Sequence, residues 1–352
     1  MHTVAIIGCG RIAVYAHLPV LSEMEDVRIK YACDILPEKA EALKAKFPKI
    51  EQTITDYRVA LADPEVTAVF VLTPNALHHP ITMDALRAGK HVMCEKPISV
   101  SYELAREMKE EAERRGLILN IGVCNRHGLA VKAIHDAIAE GRLGKVYHVY
   151  CSFRAHRNIP GLGGAFTTKA LSGGGVLIDT GVHFFDLILY ILGGARLRTA
   201  TCNTYSEMAK DMSAYRYKYM WAEDTKDLNG TNDVDDCVTG FIRTDSASIS
   251  FNGAWAHNIG ATEMFVDFFG DRGGARFDYG KKTVTFFDGE TLGEETPELP
   301  AYNTYAAEDR TFLDSTVGGP LDRNHIDNVL ETARVLDALY ASAAAGREIS
   351  FE

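Results

Sequence analysis

The first third of the chain alternates short apolar runs with longer segments whose apolar residues recur at helical spacing. The apolar runs predict buried strands at 3–7, 28–33, 51–54, 68–72, 91–94 and 117–123. Helices are predicted between them at 37–47, 57–61 and 102–115, among others. Regular alternation of strand and helix is typical of a doubly wound parallel sheet, so the N-terminal domain is predicted to be α/β.

The pattern changes after Gly144. Strands separated mainly by turns are predicted at 145–153, 196–205, 234–243, 247–255, 262–270, 275–279 and 283–287. Such a run predicts a large, mostly antiparallel open sheet, so the second domain is α+β. We therefore expect a first domain at 1–123 and a second at 124–352, with a closing amphipathic helix at 324–345 that can pack back toward the first domain. The polar segment 205–232 is either a binding loop, a lid or disordered.

A glycine-rich turn follows the first predicted strand. Gly8-Cys9-Gly10-Arg11-Ile12-Ala13 opens a helix, and its glycines permit a tight turn and a close approach of a pyrophosphate to the backbone. This strand–turn–helix context is that of a Rossmann dinucleotide site, with phosphate at the helix N-terminus. The second strand ends on Asp34, where an acid binds ribose hydroxyls and repels a 2′-phosphate. NAD is therefore favoured over NADP, although Asp34 could also simply cap the next helix.

Further polar residues follow later strands of the same sheet. Thr73, Asn75 and His78 come after the strand at 68–72, and Glu95-Lys96-Pro97 ends the strand at 91–94. The carboxyl ends of parallel strands are where open α/β sheets bind ligands. Candidate cofactor-binding residues here are therefore Thr73, Asn75, His78, Glu95 and Lys96, with surface-loop residues of no special role as the alternative. The sharp turn after the strand predicts a cis Lys96-Pro97 bond.

A helix is predicted from the glycines at 173–175 to Leu192. Asp179 and His183 are four residues apart on it, so an α-helix would place both on one face. A carboxylate beside a histidine fixes the ring tautomer and permits general-base chemistry. A satisfied core pair is the plainer alternative. A zinc pair is the third, although no Glu follows the His in the His-Glu-x-x-His manner, and no metal site is expected.

Composition restricts the class of partner and the compartment. The 37 basic and 48 acidic residues give a formal net charge of −11, which argues against nucleic acid and anionic membranes as partners. No apolar run reaches the ~20 residues of a membrane span, and no signal peptide is visible. The seven cysteines are scattered and form no Cys-x-x-Cys motif. A reduced, cytoplasmic protein is the expected setting.

Together these motifs resemble one known family. The order Gly8-x-Gly10-x-x-Ala13, Asp34, Glu95-Lys96-Pro97 and Gly174-Gly175-x3-Asp179-x3-His183 is similar to that of the glucose–fructose oxidoreductase, inositol dehydrogenase and rhizopine-catabolism (Gfo/Idh/MocA) family. The resemblance implies an NAD(P)-dependent dehydrogenase acting on a secondary hydroxyl of a sugar, glycoside or inositol-like cyclitol. It makes Lys96 and His183 the catalytic pair and Asp179 their substrate-binding partner.

The resemblance leaves several assignments open. His183 could be the base while the Lys96 ammonium binds the developing alkoxide, or Lys96 could itself be the base. Candidate substrate-binding residues beyond these flank the loop at 160–164: Arg126, Arg154, His156, Arg157 and Lys169. Segment 156–161 looks like the subset acting on glucosides or inositols. A homodimer or homotetramer joined through the second sheet is expected. An NAD-assisted glycosidase and a non-catalytic NAD sensor are the alternative functions.

Overall fold

The computed structural model describes residues 1–222 and 226–351, and these form two compact units. The first unit comprises Met1–Cys124 and Asn303–Leu330. The second comprises Asn125–Tyr302 and the residues from Glu331 onward. The sequence pattern assigned 303–330 to the second domain, whereas the structure groups these residues with the first.

The strands of the first unit form one parallel sheet. In the described part of the chain it has six strands in the order β3-β2-β1-β4-β5-β6. Their bounds are β1 His2–Ile7, β2 Val27–Cys33, β3 Ile50–Ile54, β4 Ala68–Val71, β5 His91–Glu95 and β6 Leu119–Gly122. All pairings are parallel. Every residue of β4 is buried, as expected for a strand covered on both faces. The predicted doubly wound α/β domain is confirmed.

Ten α-helices are described outside the masked residues. They are α1 Leu18–Glu23, α2 Pro37–Lys46, α3 Tyr57–Ala62, α4 His78–Arg87, α5 Tyr102–Arg115, α6 Leu129–Ala139, α7 Lys169–Ser172, α8 Val182–Ile191, α9 Thr304–Thr316 and α10 Ile326–Ala345. The sequence predicts α5 residue for residue because both ends carry strong signals. Ser101 accepts a hydrogen bond from Leu104 N at 3.4 Å, and Gly116 closes the helix in the left-handed region with φ 64°.

The second unit is built on a larger sheet. Its strands are β7 Val146–Arg154, β8 Leu197–Tyr205, β9 Cys237–Thr244, β10 Ser248–Ala254, β11 Glu263–Gly270, β12 Gly273–Asp278, β13 Thr283–Asp288, β14 Glu294–Glu295 and β15 Ile349–Ser350. They follow the order β14-β13-β12-β11-β7-β10-β9-β8-β15. Within the described ranges only β7 and β10 pair in parallel. The predicted, mostly antiparallel sheet is confirmed.

One face of this sheet is packed against helix α8. Phe153 of β7 stacks on Phe184 with ring centroids 5.1 Å apart, and Phe185 meets Phe251 of β10 edge-on at 4.9 Å. The segment Lys169–Ile191 is long and apolar enough to cross a membrane by composition, but 72% of its apolar window is buried inside the structure. Core helices pass the same test, and this segment packs as one.

The opposite face of the sheet carries aromatic and charged side chains from neighbouring strands. His148 stacks on Phe269 at 5.7 Å, and Tyr150 lies 5.8 Å from Phe265. The Arg276 guanidinium lies 4.3 Å above the Phe265 ring and also pairs with Asp267. Phe269 remains 38% exposed. This face is therefore less polar than a fully solvated sheet surface.

Candidate active site

The glycine turn after β1 is shaped by two different needs. Gly8 has φ +101°, and a Cβ there would lie 2.5 Å from the Leu72 carbonyl oxygen. Only glycine fits that position. A Cβ on Gly10 would meet nothing within 4 Å, so the turn leaves open space beside the helix that begins at Arg11 and Ile12. The amides at that helix start, together with the open space, form a cradle of the kind that binds phosphate.

Asp34 organises this turn from the end of β2. Its Oδ2 accepts a hydrogen bond from Cys9 N at 3.0 Å, and its Oδ1 accepts one from Leu36 N at 3.0 Å. The next residue, Ile35, is 83% exposed and places no positive charge beside the carboxylate. The residues present therefore fit a dinucleotide with free ribose hydroxyls.

The Thr73 and Asn75 loop is joined to the Lys96-Pro97 loop by one buried histidine. His78 Nδ1 lies 2.7 Å from the Pro97 carbonyl oxygen, and its Nε2 lies 2.9 Å from the Thr73 carbonyl oxygen. Burial lowers the His78 pKa. A neutral ring carries one N–H and donates to only one of these carbonyls, so His78 packs between the two loops and hydrogen-bonds one of them at a time. The buried Thr73 hydroxyl has no hydrogen-bond partner among the described residues, which leaves a polar group for the cofactor.

Glu95 and Lys96 end β5 as the sequence predicted. The Lys96 backbone amide donates to Glu95 Oε2 at 2.9 Å, and Glu95 is buried. A Cβ on Gly122 of the neighbouring strand β6 would lie 2.8 Å from Glu95 Oε1, so that glycine makes room for the carboxylate. The Lys96-Pro97 bond is cis, which confirms the prediction. The Lys96 side chain is partly exposed.

The segment that carries Asp179 differs from the prediction. The sequence predicts one α-helix through Asp179 and His183, but the structure has a π turn over Leu177–Gly181 before α8 begins at Val182. The predicted α-helical hydrogen bonding is therefore wrong over Leu177–Gly181, where i→i+5 hydrogen bonds widen the turn, while the shared face of Asp179 and His183 stays a prediction. π turns of this kind are frequent at functional sites. Asp179 Oδ2 accepts a hydrogen bond from Trp255 Nε1 at 3.1 Å, a partner that sequence reasoning missed.

A buried carboxylate fixes the start of this π turn. Asp235 accepts hydrogen bonds at 2.9 Å from Gly175 N, from Leu177 N and from the Tyr340 hydroxyl. Burial raises the Asp235 pKa. A Cβ on Gly174 would lie 2.1 Å from the Tyr340 oxygen, so the glycine is required by this packing. Asp235 was absent from the sequence prediction because nothing in its local pattern indicates a distant capping role.

The contacts of His183 bear on its protonation. Asn125 Nδ2 lies 3.3 Å from His183 Nδ1, and Lys282 Nζ donates to Asn125 Oδ1 at 3.3 Å. The ammonium directs the amide oxygen to itself and the amide nitrogen to the histidine. His183 Nδ1 then accepts, and a neutral ring carries its proton on Nε2. In this state the His183 ring donates from Nε2.

The other predicted substrate-binding residues have different surroundings. Arg126 is buried and binds the buried Asp186 in the core. Arg154, the last residue of β7, pairs with Glu263, the first residue of the neighbouring strand β11. Lys169 is exposed, with its backbone amide bound to Asp233. The partly buried His156 ring has an Nδ1 atom with no hydrogen-bond partner in the described ranges, which makes it the more suitable ligand-binding candidate in this loop. Among the described residues no group of three or more His, Cys, Asp or Glu side chains could hold a metal.

Comparison with known proteins gives matches over most of the chain. A family model described as "Oxidoreductase family, NAD-binding Rossmann fold" matches residues 2–123, and the "GFO/IDH/MocA C-terminal domain" model matches 131–276. The D-glucoside 3-dehydrogenase of Escherichia coli K12 is 29% identical over 98% of this chain and 96% of its own. The scyllo-inositol 2-dehydrogenase (NADP(+)) IolW of Bacillus subtilis is 28% identical over 60% and 58%. The structure of GenD2 from gentamicin A biosynthesis, in complex with NAD, superposes with a TM-score of 0.82 at 26% identity, over 100% of this chain and 96% of that one.

Proposed function

Because the chain belongs to the GFO/IDH/MocA family of oxidoreductases, we propose that it is an NAD-dependent dehydrogenase for a secondary hydroxyl of a sugar, glycoside or inositol-like cyclitol. The observation that carries the proposal is the Glu95-Lys96 strand end, which lies at the same carboxyl edge of the parallel sheet as the glycine turn after β1. A non-catalytic sensor would have little use for Lys96 together with Asp179 and His183.

NAD is proposed over NADP on the strength of Asp34. The carboxylate anchors the glycine turn through Cys9 N, so its negative charge stays where a 2′-phosphate would lie. The relatives do not decide the point, since one of them is named for NADP and a structural neighbour holds NAD. Bound NAD would supply the hydride acceptor.

The protein's own residues would handle the proton and the developing charge. We propose that Lys96 and His183 both act on the reacting hydroxyl and that Asp179 binds a neighbouring hydroxyl. If His183 carries its proton on Nε2, that nitrogen cannot accept the hydroxyl proton, and Lys96 is the proton acceptor. If the Asn125 contact at Nδ1 is lost and the proton moves to Nδ1, His183 can be the base and the Lys96 ammonium binds the alkoxide. The first division of labour agrees with the observed Asn125 contact.

The relatives and the loop at 156–161 support a choice of substrate class to test first. A match over nearly the full length to a D-glucoside 3-dehydrogenase supports glycosides as the first class to test. His156 is the loop residue that we propose to contact the sugar. Arg154 and Lys169 stay in the proposed substrate set as peripheral contacts. The free cysteines, of which six are buried, agree with the proposed cytoplasmic location.

One experiment separates the proposal from the alternatives. The purified protein is incubated with a panel of sugars, inositols and glucosides and NAD, and NADH absorbance is followed. Stoichiometric NADH with one substrate class supports the dehydrogenase. Cleavage of a glycoside without net NADH would instead support the NAD-assisted glycosidase. NAD binding without turnover of any compound would support the sensor.

A further inference from the structure

Three buried side chains of the first unit, Asp309, His17 and Glu95, contact one another in series. We call them the buried ionic cluster. His17, fully buried at the end of the π turn Ala13–His17, faces two carboxylates. Its Nδ1 lies 2.8 Å from Asp309 Oδ1, and its Nε2 lies 3.1 Å from Glu95 Oε1. His17 belongs to the helical segment that starts at the glycine turn, whereas Asp309 lies on α9, 292 residues later in the sequence. Three distant segments thus meet at one ring.

This geometry requires a charged ring. An imidazole that faces a carboxylate oxygen with each nitrogen satisfies both contacts only when both nitrogens carry a proton. Burial opposes that charge, but Asp309 and Glu95 outweigh burial and hold the His17 pKa well above its usual range. With two carboxylates around one cation, the group carries one net negative charge.

Two aromatic rings contact His17, and further buried acids lie around Glu308 on α9. The Phe70 and Tyr305 rings meet His17 edge-on at 5.5 and 5.6 Å. Glu308, also on α9, is fully buried, and burial followed by the nearby Glu95 carboxylate raises its pKa well above the usual value. Glu308 Oε1 accepts a hydrogen bond from Asn324 Nδ2 at 2.6 Å, which a protonated acid can do. Asp322 binds the side-chain amide of Asn120.

Glu95, the last member of the buried ionic cluster, contacts the backbone of the candidate catalytic lysine. Glu95 uses Oε1 for His17 and Oε2 for the backbone amide of Lys96. The carboxylate is therefore held at both oxygens, and it fixes the backbone from which the Lys96 side chain projects. The same histidine is attached to the nucleotide-binding helix.

We propose that His17 and Asp309 are positioning residues for Lys96, acting through Glu95, so that the glycine-turn helix and the lysine are held in one fixed arrangement. This rests on the proposed function, in which Lys96 acts on the substrate. Misplacement of a reacting group by about 1 Å can cost roughly 10²-fold in rate, so contacts that fix the position of Lys96 affect turnover.

The test is Asp309→Asn, which keeps the shape but removes one charge. His17 then loses its proton at lower pH, and a neutral ring turns a lone pair toward Glu95 or toward the introduced amide. We expect kcat near wild type at low pH and a fall of roughly 10–100-fold as the pH rises through the lowered His17 pKa. Glu308→Gln is the matched control on the same helix and should keep the wild-type pH profile. If Asp309→Asn loses the same activity at every pH, or loses none, the proposed positioning role of His17 and Asp309 is wrong.

A second readout does not depend on catalysis. Ring ¹⁵N signals of histidine-labelled protein, with His17 assigned through His17→Gln, should show both His17 nitrogens protonated at pH 7 in the unaltered protein. A neutral His17 ring there overturns the proposal even if Asp309→Asn fails to fold. If the His17 ring is doubly protonated but the wild type oxidises no sugar, the proposed function is wrong. The contacts of the buried ionic cluster are then still supported.

Discussion

The Arg126 guanidinium binds both oxygens of the Asp186 carboxylate, with donor–acceptor distances of 2.9 Å from Nε and 2.8 Å from Nη2. Both side chains are almost fully buried, and Thr332 Oγ1 donates to the same carboxylate at 3.0 Å. The Arg126 guanidinium also lies over the Tyr190 ring, 5.2 Å from its centroid. We therefore propose that Arg126 has a structural role.

Arg126→Met should destabilise the protein, because it leaves the buried Asp186 without its cation. Removal of one partner of a buried pair typically costs about 3–5 kcal/mol. Chemical denaturation of the variant and of Arg154→Met, whose pair with Glu263 is more exposed, provides the comparison. A fully stable Arg126→Met protein with a raised KM for sugar would return Arg126 to the substrate site.

Lys96→Ala should lower kcat by roughly 10²–10³, whether Lys96 is the proton acceptor or the ammonium that binds the developing alkoxide. NAD affinity should stay nearly unchanged, because the cofactor contacts that we propose for Gly10 and Asp34 lie elsewhere in the unit. Turnover with saturating sugar and NADH fluorescence titration measure the two quantities. His183→Ala should be at least comparably damaging if His183 is the base. Weak NAD binding by Lys96→Ala would place the lysine in the cofactor site instead.

Asp34→Asn should weaken NAD binding without creating good NADP binding. The amide can accept from only one of the two backbone amides that the carboxylate now holds, and no cation is added. Asp34→Ser combined with Ile35→Arg should raise kcat/KM for NADP, since arginine can pair with the 2′-phosphate. The kcat/KM ratio for the two cofactors is the measurement. Wild-type protein that uses NADP as well as NAD would contradict the proposed preference.

Glu308→Gln should make stability less dependent on pH. The folded pKa of Glu308 is raised above its ordinary 4.5, so its contribution to stability is present below about pH 4.5 and is lost as the pH rises toward the folded pKa. Each unit of that interval corresponds to about 1.4 kcal/mol. Glutamine keeps the acceptor for Asn324 and has no proton to lose. Thermal melts should agree at pH 4 and favour the variant at pH 8, whereas the exposed Glu298→Gln should show no such change.

Phe269→Glu should weaken self-association if the open face of the second sheet joins copies of the chain. A charge in place of a stacked aromatic ring disfavours burial of that face against another apolar surface. Light scattering of wild type and variant gives the masses. Leu292→Glu, at an exposed turn, is the control. A monomeric wild type at micromolar concentration would remove the homo-oligomer proposal.

Local signals explain how much of the molecule was predictable. The Rossmann sheet and α5 follow from continuous apolar strands, the Ser101 cap and the Gly116 terminus, all of which lie close together in sequence. The Gly8 turn and Asp34 were predictable for the same reason. The π turn at Asp179 was not, because i→i+4 and i→i+5 patterns of apolar residues overlap over one turn.

The unpredicted site residues share a second property. Trp255 reaches Asp179, and Asp235 reaches Gly175, across sequence separations of 76 and 60 residues. Asp309 reaches His17 across 292. A polar residue on a buried helix face is a weak hint of such a contact, since a buried charge needs a partner. The identity of that partner depends on the folded topology.

Residues 303–330 belong to the first unit although they follow most of the second unit in the sequence, and this order has a consequence for biosynthesis. At about 5–20 residues per second, a ribosome that has made His17 needs roughly 15–60 s more to make Asp309. Until then the nascent first unit lacks Phe312 and Leu313, which fill its core, as well as the acid that completes the His17 contacts. The second unit can meanwhile be synthesised almost entirely. A fragment that stops at Cys124 should accordingly stay loosely packed, and a separately supplied α9 peptide should tighten it.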